Sequence, residues 1–221
     1  MILPTNFFDQ NAIKVAKQLL GKVIRVKHNN IWLSATIIET EAYYTNDKAS
    51  HGSLGYTEKR RALFMPPGTI YMYYARGKDS LNISVQGEGN AVLIKSAVLF
   101  IDANTPRNML AVMQQLNPTQ NSNIPRKLEK LCAGQTLLCK SLGLTVKRWN
   151  AKQFDSKKFY IDDVGYRPQK IIQTTRLGIP KGRDEDLPYR FIDYDKAKYC
   201  TYNPLTQHND VLILNNFEEY L

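Results

Sequence analysis

The stretch Thr36–Tyr43, TIIETEAY, constrains this chain more than any other. Ile37 and Ile38 run into two carboxylates, Glu39 and Glu41, which alternate with Thr40 and Ala42 and end on the aromatic pair Tyr43 and Tyr44. On a strand, residues two apart share a face. Glu39, Glu41 and Tyr43 are therefore expected to point one way, and Ile38, Thr40 and Ala42 the other. Spacing leaves two readings open. Both carboxylates are solvated on an edge strand, or one is kept dry beside an aromatic ring, where acid–base chemistry can be tuned.

A strand of this kind needs a core around it. At 221 residues, with 43% hydrophobic and 23% charged residues, the chain suits one folded domain spanning residues 1–221. No apolar run approaches the roughly 20 residues a membrane helix needs. The opening MILPTNFFDQN lacks the charged head and apolar body of a signal peptide. Cys132, Cys139 and Cys200 read as core thiols, and His28, His51 and His208 are too scattered to suggest zinc. A reducing cytoplasm fits this usage.

The net charge of +10 is unevenly spread. Nine Lys or Arg lie between Ser122 and Lys158 against Glu129 and Asp155, and Lys59, Arg60 and Arg61 form a second cluster. Two basic patches flanking a candidate site favour a polyanionic partner over a merely solvated face.

In chain order, a helix is expected over the stripe Ile13, Ala16, Leu19 and Leu20, capped by Asp9 and ended by Gly21. Strands follow at Lys22–Lys27 and Ile31–Thr40, turned by His28, Asn29 and Asn30. Tyr44–Arg61 reads as a polar loop. Its His51 is a ligand-binding group or a backbone cap, and the residues alone leave that open. Ile70–Tyr74 and Leu81–Val85 read as strands joined by a short, cationic, glycine-bent tip, Ala75–Ser80, which carries Arg76 and Lys78. Such a hairpin could enter a nucleic-acid groove, and its dense tyrosines could equally be ordinary sheet packing. Lys95 interrupts the apolar strand Ala91–Ala97, at a sheet edge or facing the acid. Helices are expected from Asn104 or Thr105 to Leu116, from Pro125 to Cys132, and over Gly134–Leu142. Short strands are expected at Phe159–Asp162, Lys170–Thr175 and Tyr189–Asp193.

The segments LLGKVIRV, IIETEAY, ASH, PGTIYMYY, LNISVQGEGNAVLIKSA, LCAGQTLLCKSLGL and TTRLGI, in this order, resemble the alkyladenine (3-methyladenine) DNA glycosylase family. The resemblance spans most of Thr5–Phe191. It implies a single α+β domain, with a curved, mostly antiparallel sheet, flanking helices and a protruding β-hairpin. It also implies a monofunctional base-excision enzyme without metal or organic cofactor, acting on double-stranded DNA that carries a damaged purine such as 3-methyladenine or hypoxanthine; a monomer is expected because one flipped base needs only one copy. By position, Glu41 matches the general base that activates water. Lys95 falls where the family has an arginine near that water. Tyr43, His51 and Tyr73 match the lining of the base pocket, and Asn82 the residue that excludes guanine. Arg76 falls where the family usually has an intercalating tyrosine, in a hairpin about one residue shorter. Lys78, Lys59 and Arg60 complete the expected DNA contacts. A catalytically weak damaged-DNA-binding protein of the same fold is the alternative suggested by Arg76 and Lys95. A hydrolase of free nucleosides is disfavoured by the charge.

Overall fold

The computed structural model describes residues 1–120, 124–206 and 211–215. Its strands are β1 (Val23–His28), β2 (Ile31–Tyr43), β3 (Ile70–Ala75), β4 (Lys78–Ser84), β5 (Ala91–Leu99), β6 (Phe159–Asp162), β7 (Lys170–Thr174), β8 (Arg190–Asp193) and β9 (Leu212–Asn215). Among the described residues they form one curved, open sheet, ordered β3-β4-β5-β2-β8-β7-β9, with β1 and then β6 branching from β2. Each described pairing is antiparallel. Helices α1 (Ala12–Leu19), α2 (Met109–Leu116), α3 (Gln135–Ser141) and α4 (Val146–Trp149) flank the sheet. The class is α+β, as expected.

The edge-strand reading of the two carboxylates fails. β5 pairs with β2 from Ala35 to Tyr43, while the opposite edge of β2 is shared by β1 over Ile31–Thr36 and β8 over Glu39–Glu41. Glu39 and Glu41 sit in the middle of the sheet, and both are fully buried.

Strict alternation fails too, for one physical reason. The β2–β5 register runs Ile37↔Ala97, Glu39↔Ser96, Thr40↔Ile94. Ile38 is thus an extra residue on β2 and Lys95 an extra residue on β5. Each is a bulge, and a bulge hands two successive residues to the same face. Before it, Leu33, Ala35 and Ile37 belong to the main core; after it, Ala42 does, and Thr40 donates from Oγ1 to Ala16 O of α1 at 2.8 Å. Ile38, expected beside Thr40 and Ala42, instead joins a small cluster on the opposite face with Ile172 and Ile192. Without the shift, Glu39 and Glu41 would continue the parity of Leu33, Ala35 and Ile37 and enter the apolar core, where a charge without a partner costs several kcal/mol.

The β1–β2 hairpin turns at Asn29 and Asn30, with φ of 45° and 65°, as asparagine permits. Helix α1 packs its buried face, Ala12, Val15, Ala16 and Leu19, on the core. Its cap is Asn11, whose side chain accepts from Ile13 N, and not Asp9, which ends the preceding 3₁₀ turn. Gly21 follows with φ 85°, and a Cβ there would stand 2.6 Å from the Tyr166 ring. Helix α2 starts later than expected. Thr105 is spent in a turn, donating from Oγ1 to Asp102 Oδ1 at 3.0 Å and accepting from Asp102 N at 2.8 Å. The helix expected from Pro125 to Cys132 is only a 3₁₀ turn, Leu128–Lys130, so the basic run forms no continuous helix face. All three cysteines are buried thiols. His208 lies outside the described residues. No helix among them is long and apolar enough to cross a membrane.

Candidate active site

Glu41 stands beneath a cavity of about 690 Å³ between the β3–β4 hairpin, the loop carrying His51, the start of α3, and the segments 177–179 and 201–202. The carboxylate itself is fully buried. Three cavity-lining residues hold it: Lys95, whose Nζ lies 3.2 Å from Oε1; Leu177, whose backbone N–H donates to Oε1 at 3.2 Å; and Tyr43, whose hydroxyl donates to Oε2 at 2.7 Å. The β5 bulge is what brings Lys95 here, since it re-aims a side chain that would otherwise follow the strand's parity. Burial pushes the Glu41 pKa up, but the charge of Lys95, the Tyr43 and Leu177 donors and the more distant Arg190 outweigh it, and the net pKa falls below the ordinary glutamate value of 4.5. Glu41 is therefore a carboxylate at neutral pH. With about four acceptor sites and three donors, it retains room for one more.

Tyr43 is held in turn. Burial, and then the Glu41 charge, push its pKa well above 10, so it remains a donor. The Arg176 guanidinium lies 4.6 Å from the Tyr43 ring centroid, and Arg176 is buried against Asp47 and donates to Ala42 O at 3.2 Å. Sequence reasoning missed this support. TTRLGI signalled Arg176 only as part of a motif, because Asp47 lies 129 positions away.

The opposing wall is aromatic. His51 and Tyr73 touch, with centroids 4.3 Å apart, Tyr71 stacks on Tyr73 at 5.5 Å, and His51 Nδ1 shares a 2.8 Å hydrogen bond with the Tyr71 hydroxyl. Burial, with Arg60 and Arg183 adding to it, lowers the His51 pKa below 6.5, so its ring is neutral at pH 7. The loop reaches this position because Gly52 packs against the β4–β5 turn, where a Cβ would stand 2.2 Å from Gly89 O. Asn82, on β4, lines the same cavity and donates to Tyr71 O at 3.3 Å.

Arg76 and Gly77 form the two-residue tip of the hairpin, shorter than the Ala75–Ser80 loop expected, with φ of 50° and 75°. Arg76 and Lys78 are exposed and line the cavity, and an Arg76 guanidinium nitrogen lies 3.8 Å from where a Gly178 side chain would begin. The structure thus gathers Glu41, Tyr43, His51, Tyr73, Arg76, Lys78, Asn82 and Lys95 around one cavity. Lys59 and Arg60 lie outside its lining. Lys59 is exposed, and the Arg60 guanidinium is engaged by Gly55 O and Leu54 O at 2.9 and 3.0 Å. Glu39 has a separate partner: Arg190 Nε donates to it at 2.6 Å, and Ser96 Oγ donates to its other oxygen. Among the described residues no cluster of His, Cys, Asp and Glu is arranged to hold a metal ion.

Known proteins are similar to this chain over most of its length. A relative from Pseudomonas aeruginosa (strain LESB58), bearing the name of a 3-methyladenine DNA glycosylase, is 59% identical over 92% of this chain and 84% of its own length. One of the same name from Pseudomonas syringae pv. syringae (strain B728a) is 61% identical over 92% of this chain and 91% of its own. An archaeal one from Methanocella arvoryzae is 32% identical over 90% and 94%. The family model for methylpurine-DNA glycosylase matches residues 6–197, a span that contains Glu41, its three donors and the whole aromatic wall, so the chain belongs to the methylpurine-DNA glycosylase family.

Proposed function

We propose that this protein, a DNA-repair hydrolase by its family, is a monofunctional glycosylase that extrudes an alkylated or deaminated purine from duplex DNA and hydrolyses its glycosidic bond. It acts in the cytoplasm, as a monomer. The observation that carries the reading is a fully buried Glu41, held by Lys95, Tyr43 and Leu177 under an aromatic cavity. A purine cannot be attacked within the stack, so it must leave the helix. The extruded base would be seated between Tyr43 and the His51–Tyr73 wall. Rings against an electron-poor alkylated purine gain roughly 0.5–2 kcal/mol each. Asn82 at the cavity wall would crowd the exocyclic amine of guanine. Glu41 takes a proton from water as the water oxygen bonds to the sugar carbon and the bond to the purine nitrogen breaks. Its charge also stabilises the cation-like sugar. An N-alkylated purine such as 3-methyladenine already carries positive charge and departs neutral, whereas hypoxanthine departs as its anion and takes up a proton from solvent. Lys95 is assigned as the cation that keeps Glu41 ionised, and the abasic strand is left uncut.

The test is release of 3-methyladenine and hypoxanthine from duplex oligonucleotides by the wild-type protein. Tight, salt-dependent binding without release would instead support a damaged-DNA sensor. Lys95→Met gives a pH prediction. A lowered folded-state pKa means that the active carboxylate is present above that pKa and lost as pH falls through it. The acid limb of kcat/KM is therefore expected below 4.5 in the wild type. Without Lys95, the largest of the influences that lower the pKa is lost, and the limb moves to higher pH. An unmoved limb would show that Lys95 does not set the charge of Glu41.

Arg76 occupies a left-handed position at the hairpin tip, which asparagine or glycine adopts at lower cost. Strain of that kind, at about 1–3 kcal/mol, persists where a side chain has work to do. A guanidinium plane can stack in the gap left by an extruded base and pair with phosphate. Arg76→Ala is expected to slow release from duplex about tenfold, in keeping with stacking of roughly 1–3 kcal/mol per base. Equal rates from duplex would remove Arg76 from the extrusion step.

A further inference from the structure

We propose that a second, distal groove binds the phosphate backbone of duplex DNA away from the damaged base, an inference that deepens the reading above. The groove, of about 400 Å³, is lined by Lys27, Asn29, Asn30, Arg148, Lys157 and Lys158. Its four cations come from three separate pieces of chain: the β1–β2 hairpin, the end of α4 and the turn before β6. Tertiary structure alone brings them together. β1 pairs with β6 from Val23 to Val26, and Lys27 N donates to Lys158 O at 2.7 Å, which sets the two turns side by side. The turn at 155–158 is closed by Lys158 N to Asp155 O at 2.9 Å, and Trp149 packs edge-on against Phe159 at 5.1 Å beneath Arg148. These cations are thus carried on rigid backbone rooted in the core. One carboxylate, Asp155, lies beside them, 3.5 Å from Lys158, with the lysine side chain 64% and the aspartate 38% exposed. Such an exposed pair offsets little. The lining side chains are all cations or asparagine amides, with no apolar residue among them, so the groove presents excess positive charge that suits a polyanion backbone.

The groove is remote from the cavity. Along β2, Ile31 beside the asparagine turn is ten residues from Glu41, roughly 33 Å of extended chain. A 12-base-pair duplex with a central lesion reaches only about 20 Å to either side, at about 3.4 Å per base pair. A 40-base-pair duplex reaches far enough to engage both.

The experiment compares the full chain with Arg148→Glu/Lys157→Glu/Lys158→Glu, and with the milder all-glutamine version in case charge reversal impairs folding. Binding to 12- and 40-base-pair duplexes, each carrying a central uncleavable abasic analogue that anchors it at the cavity, is followed across a potassium chloride series. Each neutralised phosphate contributes about 0.9 to the salt slope. The slope on the 40-mer is expected to fall by about two to three in the variants, with at least tenfold weaker binding near 0.1 M salt. Binding to the 12-mer, and base release from a 12-mer bearing hypoxanthine, should stay within twofold. An unchanged slope on the 40-mer overturns the proposal. So do equal losses on both duplexes, or loss of binding only to phosphatidylglycerol vesicles. The slope is read without turnover, so a wild type that releases no base would defeat the glycosylase reading and leave this measurement standing.

Discussion

Glu41→Gln is expected to lower single-turnover base release by about 10²–10⁴, the range that general acid–base catalysis supplies. The substitution is nearly isosteric. The glutamine oxygen can still accept from Tyr43 or Leu177, so the shape of the cavity floor is kept while its proton acceptor and its charge are lost. Lys95, whose side chain is 11% exposed, loses its ion-pair partner, but it lines the cavity and can be hydrated. Stability should therefore fall less than activity. The informative comparison is between the rate of release and the binding of a duplex carrying an uncleavable abasic analogue. Loss of rate with binding retained is the signature of an interaction made in the transition state. Undiminished release by Glu41→Gln would remove this carboxylate from the chemistry, whatever its geometry.

Arg190→Met should produce the largest loss of stability. Arg190 and Glu39 are both at or near 0% exposed and are joined at 2.6 Å, with Ser96 completing the carboxylate and Tyr202 O accepting from Arg190 at 2.8 Å. Removing one member of a buried pair leaves the other charge without compensation, at about 3–5 kcal/mol. In a domain of this length each kcal/mol moves the Tm by about 2–4 °C, so a drop of roughly 10 °C is expected. The double substitution Glu39→Leu/Arg190→Met removes both charges and should recover most of that loss. The pair also anchors two walls of the cavity, because Ser96 Oγ accepts from Gly134 N at 3.0 Å and Arg190 holds Tyr202. Recovery of Tm without recovery of kcat/KM would therefore show that the pair shapes the site as well as the fold. Additive losses in the double variant would mean that the two charges do not interact.

The two glutamates show where local pattern stops being informative. They are two residues apart and identical in type, yet one is a stability element and the other the candidate base. The sequence marked the stretch and, through the family's motifs, pointed to Glu41. The residues alone left both carboxylates solvated or dry. Their division of roles depends on partners 54 to 151 positions away, Lys95 and Leu177 for Glu41, Arg190 for Glu39. Arg176 and Asp47 escaped notice for the same reason.

By itself the sequence determined what depends on neighbouring residues: the β1–β2 hairpin with its asparagine turn, the limits of β6, the helix ended by Gly21 and the family motifs. Only the tertiary structure decided which face the carboxylates occupy. Alternation along β2 is a property of one chain, whereas the paired bulges at Ile38 and Lys95 are a register event between two strands and exist only once β5 has docked. That shift turns Glu41 out of the apolar core and Lys95 toward it, and so places a charge where the cavity can use it.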